Sequence, residues 1–136
     1  AHLIRAVMEG VTYGLRDGLE LLHGLGLSFD RVRVSGGGAR SRLWRQMLAD
    51  IFNLAIVEVN ATEGAAYGAA LLAGVGAGIY QDVSGACNQT IREIATTRPG
   101  PTISLYEEYY QRYRALYPIL KEEFKKISSI AEKRYG

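Results

Sequence analysis

The run Gly36-Gly37-Gly38-Ala39-Arg40-Ser41 is the one constellation in this sequence whose residue types and spacing speak of chemistry. It follows the alternating stretch Arg31-Val32-Arg33-Val34 and precedes an amphipathic one, so it reads as a turn from strand into helix. At such a turn, unpaired backbone N–H groups and the positive end of the helix dipole point at whatever lies above. Glycines there let backbone approach a ligand with no Cβ in the way. One reading is a nucleotide or phosphate subsite; the other is a tight strand-to-helix turn that binds nothing. The loop residues alone leave both open.

As a dinucleotide fingerprint the loop is imperfect, because the third glycine of G-x-G-x-x-G is replaced by Ser41. Glu58 stands about 20 positions further on, where a Rossmann-type NAD module would use it to hydrogen-bond a ribose. Against that module, an amphipathic helix precedes the first strand, and further strands would be required. No lysine follows the glycines, so the run is not a P-loop.

Other side chains support less. His2 and His23 are the only histidines and Cys87 the only cysteine, so no metal site assembles from spacing. Asp17 and Asp50 fall inside helical stretches and read as solvated or capping carboxylates. Tyr106, Tyr109, Tyr110, Tyr113 and Tyr117 follow helical spacing and read as core. Lys121, Lys125 and Lys126 interleave with Glu122 and Glu123 as a solvated face. No nucleophile–base pair or carboxylate pair stands out, so no catalytic residue is assigned.

The elements that would position the loop are legible. From His2 to about Leu22, Leu3, Ile4, Val7, Met8, Val11, Leu15, Leu19 and Leu22 give a helical stripe. Beside it run Ala6, Gly10, Gly14 and Gly18. Each internal glycine costs about 1 kcal/mol against alanine, which predicts a neighbouring backbone pressed against this stripe. Gly24-Leu25-Gly26 stops the helix, and Phe29 to Ser35 is a strand. A second helix runs from about Ser41 to Phe52, with Trp44, Met47, Leu48, Ile51 and Phe52 on one face. Leu54 to Val59 is a second strand, and strand, helix and strand make a right-handed βαβ unit with parallel pairing.

Thr62 is the expected N-cap of a third helix, Gly64 to about Ala77. Its alanines, Ala65, Ala66, Ala69, Ala70 and Ala73, predict tight packing against the glycine stripe of the first helix. Residues Gly78 to Pro101 read as loop with short local structure. A final helix starts at Leu105; Pro118 is expected to kink or break it near Leu116, and the stretch from Ile127 to Gly136 to fray. Two parallel strands are too few for a stable sheet, so the parts are those of half a sheet domain.

The 136 residues are one domain's worth, with 48% hydrophobic and 22% charged. The net charge of +2 removes the main argument for nucleic acid or an anionic membrane as partner. No apolar run approaches the roughly 20 residues of a membrane span. His2, Arg5 and Glu9 interrupt any signal-like stretch, so a cytoplasmic α/β protein is expected.

Several segments, in order along almost the whole chain, resemble the FGGY family of carbohydrate kinases. His2-Leu3-Ile4-Arg5-Ala6-Val7-Met8-Glu9-Gly10 is similar to the second half of a family signature. Gly36 to Ser41, with Trp44, Arg45, Gln46, Met47, Ala49 and Asp50, resembles the adenosine-side loop and helix, in the form nearest the xylulokinase branch. Glu63 to Ala70 and the end of the chain, Tyr109, Tyr113, Leu116, Tyr117 and Pro118, are similar to its later helices.

The resemblance implies a partial ribonuclease H-like, actin-like ATPase fold. Residues 1–136 would be the C-terminal portion of the second, nucleotide-binding domain of a two-domain sugar kinase. Such an enzyme transfers the ATP γ-phosphoryl group to a sugar hydroxyl, here the 5-hydroxyl of D-xylulose, with Mg²⁺ and backbone donors holding the phosphates. By motif position Gly37 and Gly38 would lie against the adenosine or α-phosphate, Gly36 would shape the turn, and Ser41 would reach the adenine. The aspartate base, the Mg²⁺ ligands and most sugar contacts would lie in an upstream domain, so this chain alone is expected to be inactive.

Three alternatives stand beside this reading. The first is another FGGY kinase, acting on ribulose, gluconate or glycerol. The second is the Rossmann-like module, and the third is a packing piece that pairs with a second copy into a homo-oligomer through bare edges and faces.

Overall fold

A computed structural model describes residues 2–61 and 63–135. The elements run α1 (His2–Gly24), β1 (Arg31–Val34), a 3₁₀ turn (Gly38–Arg40), α2 (Arg42–Phe52) and β2 (Ala55–Val59). They continue with α3 (Gly64–Gly76), α4 (Val83–Thr90), β3 (Glu93–Thr97) and α5 (Ile103–Tyr135). β1 and β2 pair in parallel with Val32 opposite Ile56, so the expected βαβ unit forms around α2.

α2 is bounded by local chemistry at both ends. Ser41 is extended and its side chain accepts the Trp44 N–H, an N-cap bond. Asn53 is left-handed at φ 52° and its N–H bonds back to the Ala49 carbonyl. Between these caps the helix buries on two sides. Met47 and Ile51 pack with Tyr13, Tyr106 and Tyr110 toward α1 and α5. Leu48 and Ala49 pack with Ile56, Val32 and Val34 on the sheet. The buried core is therefore centred on α2, the element that carries the glycine loop at its head.

The region between Gly78 and Pro101 holds more structure than its loop-like sequence suggests. It contains α4 and a third strand, β3, which pairs antiparallel with β2 and places Ile56 opposite Thr97. The sheet is thus three-stranded and mixed, in the order β1-β2-β3. β3 lies almost wholly exposed, which is why Glu93-Ile94-Ala95-Thr96-Thr97 shows no buried face in sequence. Asn60 helps to anchor it: its amide donates to the Thr90 carbonyl at 2.9 Å and its oxygen accepts from Arg92 N–H at 2.8 Å.

The helices differ from expectation in several places. Gly10 and Gly18 have no atom within 4 Å of a built Cβ, and Gly14 meets only the Tyr113 hydroxyl at 3.7 Å. Among the described residues no backbone presses on the stripe; α3 instead packs on α4, and its alanines 65, 66, 69, 70 and 73 are exposed. Much of the apolar stripe of α1 is bare too, with Leu3, Ile4, Val7 and Leu15 all more than half exposed. The face that packs within the chain carries Met8, Thr12 and Tyr13. Thr62, the expected cap of α3, lies outside the described residues.

Pro118 does not break α5, which is helical from Ile103 to Tyr135. The residues from 114 to 134 are all exposed, so the carbonyl left without a donor by the proline is free to face water. The stretch expected to fray is helical through Tyr135.

Candidate functional site

Gly36, Gly37, Gly38 and Ser41 are brought together where β1 hands over to α2, and each has a distinct role there. Gly36 sits at φ +83°, a conformation that L side chains rarely adopt, so it turns the chain out of the strand. Gly37 has φ −61° and ψ −40°, is exposed, and a built Cβ would meet nothing within 4 Å. Gly38 is different. A Cβ there would meet Trp44 Cζ3 at 2.7 Å, so this glycine is required by an indole ring packed beneath the loop.

The loop's amides are less free than a bare glycine run implies. Ala39, Arg40 and Ser41 N–H groups donate to the carbonyls of Gly36, Gly37 and Gly38 at 3.1 to 3.2 Å, closing the 3₁₀ turn. Ser41 Oγ accepts the Trp44 N–H at 3.3 Å, which leaves its hydroxyl proton to donate elsewhere. On the far side of the loop, a Cβ on Gly64 would meet Ser35 Oγ at 2.8 Å, so the start of α3 adjoins the end of β1. The mouth of the loop is therefore flanked by the N-termini of two helices, both favourable to negative charge.

Two neighbours in α2 support the loop from below. Trp44 Nε1 donates to Thr12 Oγ1 at 3.1 Å, tying the ring to α1. Arg45 is buried, donates from Nη1 to the Ala39 carbonyl, and lies 3.0 Å from Glu58 Oε2. Glu58 is thus engaged by an arginine of its own chain, which weighs against its binding a ribose in a dinucleotide module. Neither support stands out in sequence, because both depend on α2 lying across β2 and α1.

The carboxylates and tyrosines also land in particular places. Asp50, read as solvated or capping, is 5% exposed and joins α2 to the segment before α5. It accepts from Gly100 N–H at 2.7 Å, Thr102 Oγ1 at 2.6 Å and Gln46 Nε2 at 2.8 Å. Asp17 accepts from the Tyr110 hydroxyl at 2.7 Å. Tyr106 and Tyr110 are core, whereas Tyr109 and Tyr117 are exposed. Burial raises the pKa of Tyr13, with Glu9 adding to it, and burial and the Asp17 bond raise that of Tyr110. Gln111 and Arg16 hold the Glu107 carboxyl below its usual range. These groups belong to the α1–α5 contact, away from the loop.

Among the described residues no group of three or more His, Cys, Asp or Glu side chains is placed to hold a metal. A groove of about 600 Å³ between α1 and α5 is lined by Asp17, Tyr113, Leu116, Tyr117 and Phe124, among others, and includes no loop residue. None of the described helices is long and apolar enough to cross a membrane. What the loop offers is an open backbone face at Gly37, a free hydroxyl proton on Ser41 and two helix N-termini.

Comparison with known proteins adds to this geometry. A family model described as the FGGY family of carbohydrate kinases, C-terminal domain, matches residues 1–77. The xylulose kinase of Bacillus subtilis is 36% identical over 122 residues, 89% of this chain and 24% of that protein. Among solved structures, a ligand-bound xylulose kinase from Lactobacillus acidophilus superposes with a TM-score of 0.81 at 26% identity, over 92% of this chain and 26% of that one. A gluconate kinase from the same organism gives the same TM-score and identity over 92% and 25%. The chain thus spans about a quarter of the length of the proteins it matches.

Proposed function

The chain belongs to the FGGY family of carbohydrate kinases, as a C-terminal domain segment, and from that premise we propose that it forms the adenosine side of an ATP site. The observation that carries this reading is the open backbone face at Gly37, beside the unspent Ser41 hydroxyl proton, on a loop braced by Trp44 and Arg45. Gly37 and Gly38 would lie against the adenosine or the α-phosphate, with Gly38 there through its backbone, and Ser41 would donate toward the adenine. Gly36 shapes the turn that presents them.

The longer enzyme in this proposal transfers the γ-phosphoryl group of ATP to a sugar hydroxyl. D-xylulose is the substrate favoured by the xylulose kinase relatives, and D-xylulose 5-phosphate would be the product. A gluconate kinase of equal structural similarity keeps gluconate as the second candidate. In this proposal deprotonation of the sugar hydroxyl, the Mg²⁺ ligands and most sugar contacts would fall to the other domain of the longer enzyme. Residues 1–136 would be the C-terminal part of the nucleotide-binding domain, and the bare stripe of Leu3, Ile4, Val7 and Leu15 would be covered by the rest of that domain.

The test uses Gly37→Ala, a change the fold tolerates because φ is ordinary and the space is open. ATP affinity, measured by titration calorimetry on the kinase expressed from its full reading frame, should fall about tenfold or more, equivalent to about 1.4 kcal/mol. Unchanged affinity would remove the loop from the nucleotide site. Turnover of D-xylulose against gluconate by the same protein decides the sugar.

A further inference from the structure

Arg45 occupies an unusual place for a charged side chain. The residue is 9% exposed, and its Nε is buried without a hydrogen-bond partner among the described residues. Nη1 donates to the Ala39 carbonyl and pairs with Glu58 Oε2 at 3.0 Å. A buried ion pair is a weak source of stability, since desolvation offsets the attraction. Apolar replacement of such a pair is often neutral for stability, so the useful property of Arg45 is where its donor points.

The backbone shows why a donor is useful there. The 3₁₀ turn ends at Arg40, and Ser41 is extended at φ −78° and ψ 111° before α2 begins. The helical ladder is interrupted between the glycine loop and α2. Arg45, one turn into α2, reaches back across that interruption to the middle residue of the turn. Glu58, on the central strand, lies 3.0 Å from the same Nη1 and holds it in place. Loop, helix and sheet therefore meet at one side chain.

We propose that Arg45, held by Glu58, is a positioning residue for nucleotide: it anchors the Ala39 carbonyl and thereby sets the Gly36–Gly37 backbone and the Ser41 hydroxyl against the ligand. The proposal rests on the ATP-site reading. It assigns Arg45 no contact with ATP, and the side chain acts only through the turn.

The test compares R45M, R45K and the double variant R45M/E58L in the kinase expressed from its full reading frame. R45M alone strands the Glu58 carboxylate and so confuses positioning with folding. The double variant removes both charges together, which keeps the fold intact. It should raise the KM for ATP by about tenfold to a hundredfold, the scale of a small misplacement. Its kcat, sugar KM and Tm should stay near wild type. R45K should recover part of the ATP KM, because an ammonium keeps one donor near the carbonyl. An ATP KM unchanged in the double variant, beside a normal wild type, overturns the clamp alone. Parallel shifts in ATP KM, sugar KM and Tm overturn it in favour of a general structural role. A wild-type protein that does not bind ATP overturns the site reading and the clamp together.

Discussion

The Trp44 indole donates a 3.1 Å hydrogen bond to the hydroxyl of Thr12, whose own proton goes to the Met8 carbonyl at 2.8 Å. Thr12 is fully buried, so this polar contact is shielded from water and fixes the ring's orientation. The same ring forms the floor under Gly38. A glycine loop on the surface is thus seated, through one side chain, on the first helix of the chain.

Gly38→Ala should destabilise the protein by about 1–3 kcal/mol, the usual range for overpacking. The new Cβ would sit 2.7 Å from Trp44 Cζ3, and the bond to Thr12 keeps the ring from retreating. Thermal denaturation checks this. In a Trp44→Leu background the cost of Gly38→Ala should shrink; strict additivity of the two changes would show that the ring is not the obstacle.

Asp50→Ala should cost about 1.5–3 kcal/mol, the range for hydrogen bonds to a charged group. The loss leaves Gly100 N–H and Thr102 Oγ1 without their acceptor and loosens the entry to α5. Urea unfolding of the variant against Thr102→Val measures it. The two changes should be non-additive, because they share one carboxylate.

Stability should decline as pH rises above about 10, the ordinary tyrosine value. Tyr13 and Tyr110 have raised folded-state pKa values, so their contribution is fully present below the unfolded pKa. It is lost as the unfolded chain releases protons that the folded chain retains. Tm followed across alkaline pH checks this, and Tyr110→Phe should flatten the decline. An identical slope in that variant would exclude Tyr110 as a source.

Pro118→Ala should raise the helicity of the distal part of α5 by removing a penalty of about 3 kcal/mol to that helix. Residues 114–134 are exposed, so the global Tm of this chain should barely move. Amide exchange should slow locally around the substitution. A large rise in Tm would mean that this segment contributes to the cooperative core.

The βαβ unit around α2 was readable because its signals are local: alternation at Val32 and Val34, glycines at 36–38, and helical spacing from Trp44 to Phe52. β3 was not, because an edge strand with exposed side chains carries no apolar period, and its pairing with β2 is fixed partly by Asn60 more than 30 residues away. The glycine stripe of α1 predicted a tight neighbour, yet Gly10 and Gly18 face open space. Within the site, local sequence was enough to pick out the residues of the loop and to place it at the head of a helix. That Gly38 answers to Trp44, that Glu58 is taken by Arg45 and that Asp50 is buried follow instead from how the elements pack. Those pairings join residues distant along the chain or close the gap between elements. A single strand of sequence encodes periodicity and turn chemistry, whereas the partner of a buried polar group is chosen by how the elements stack.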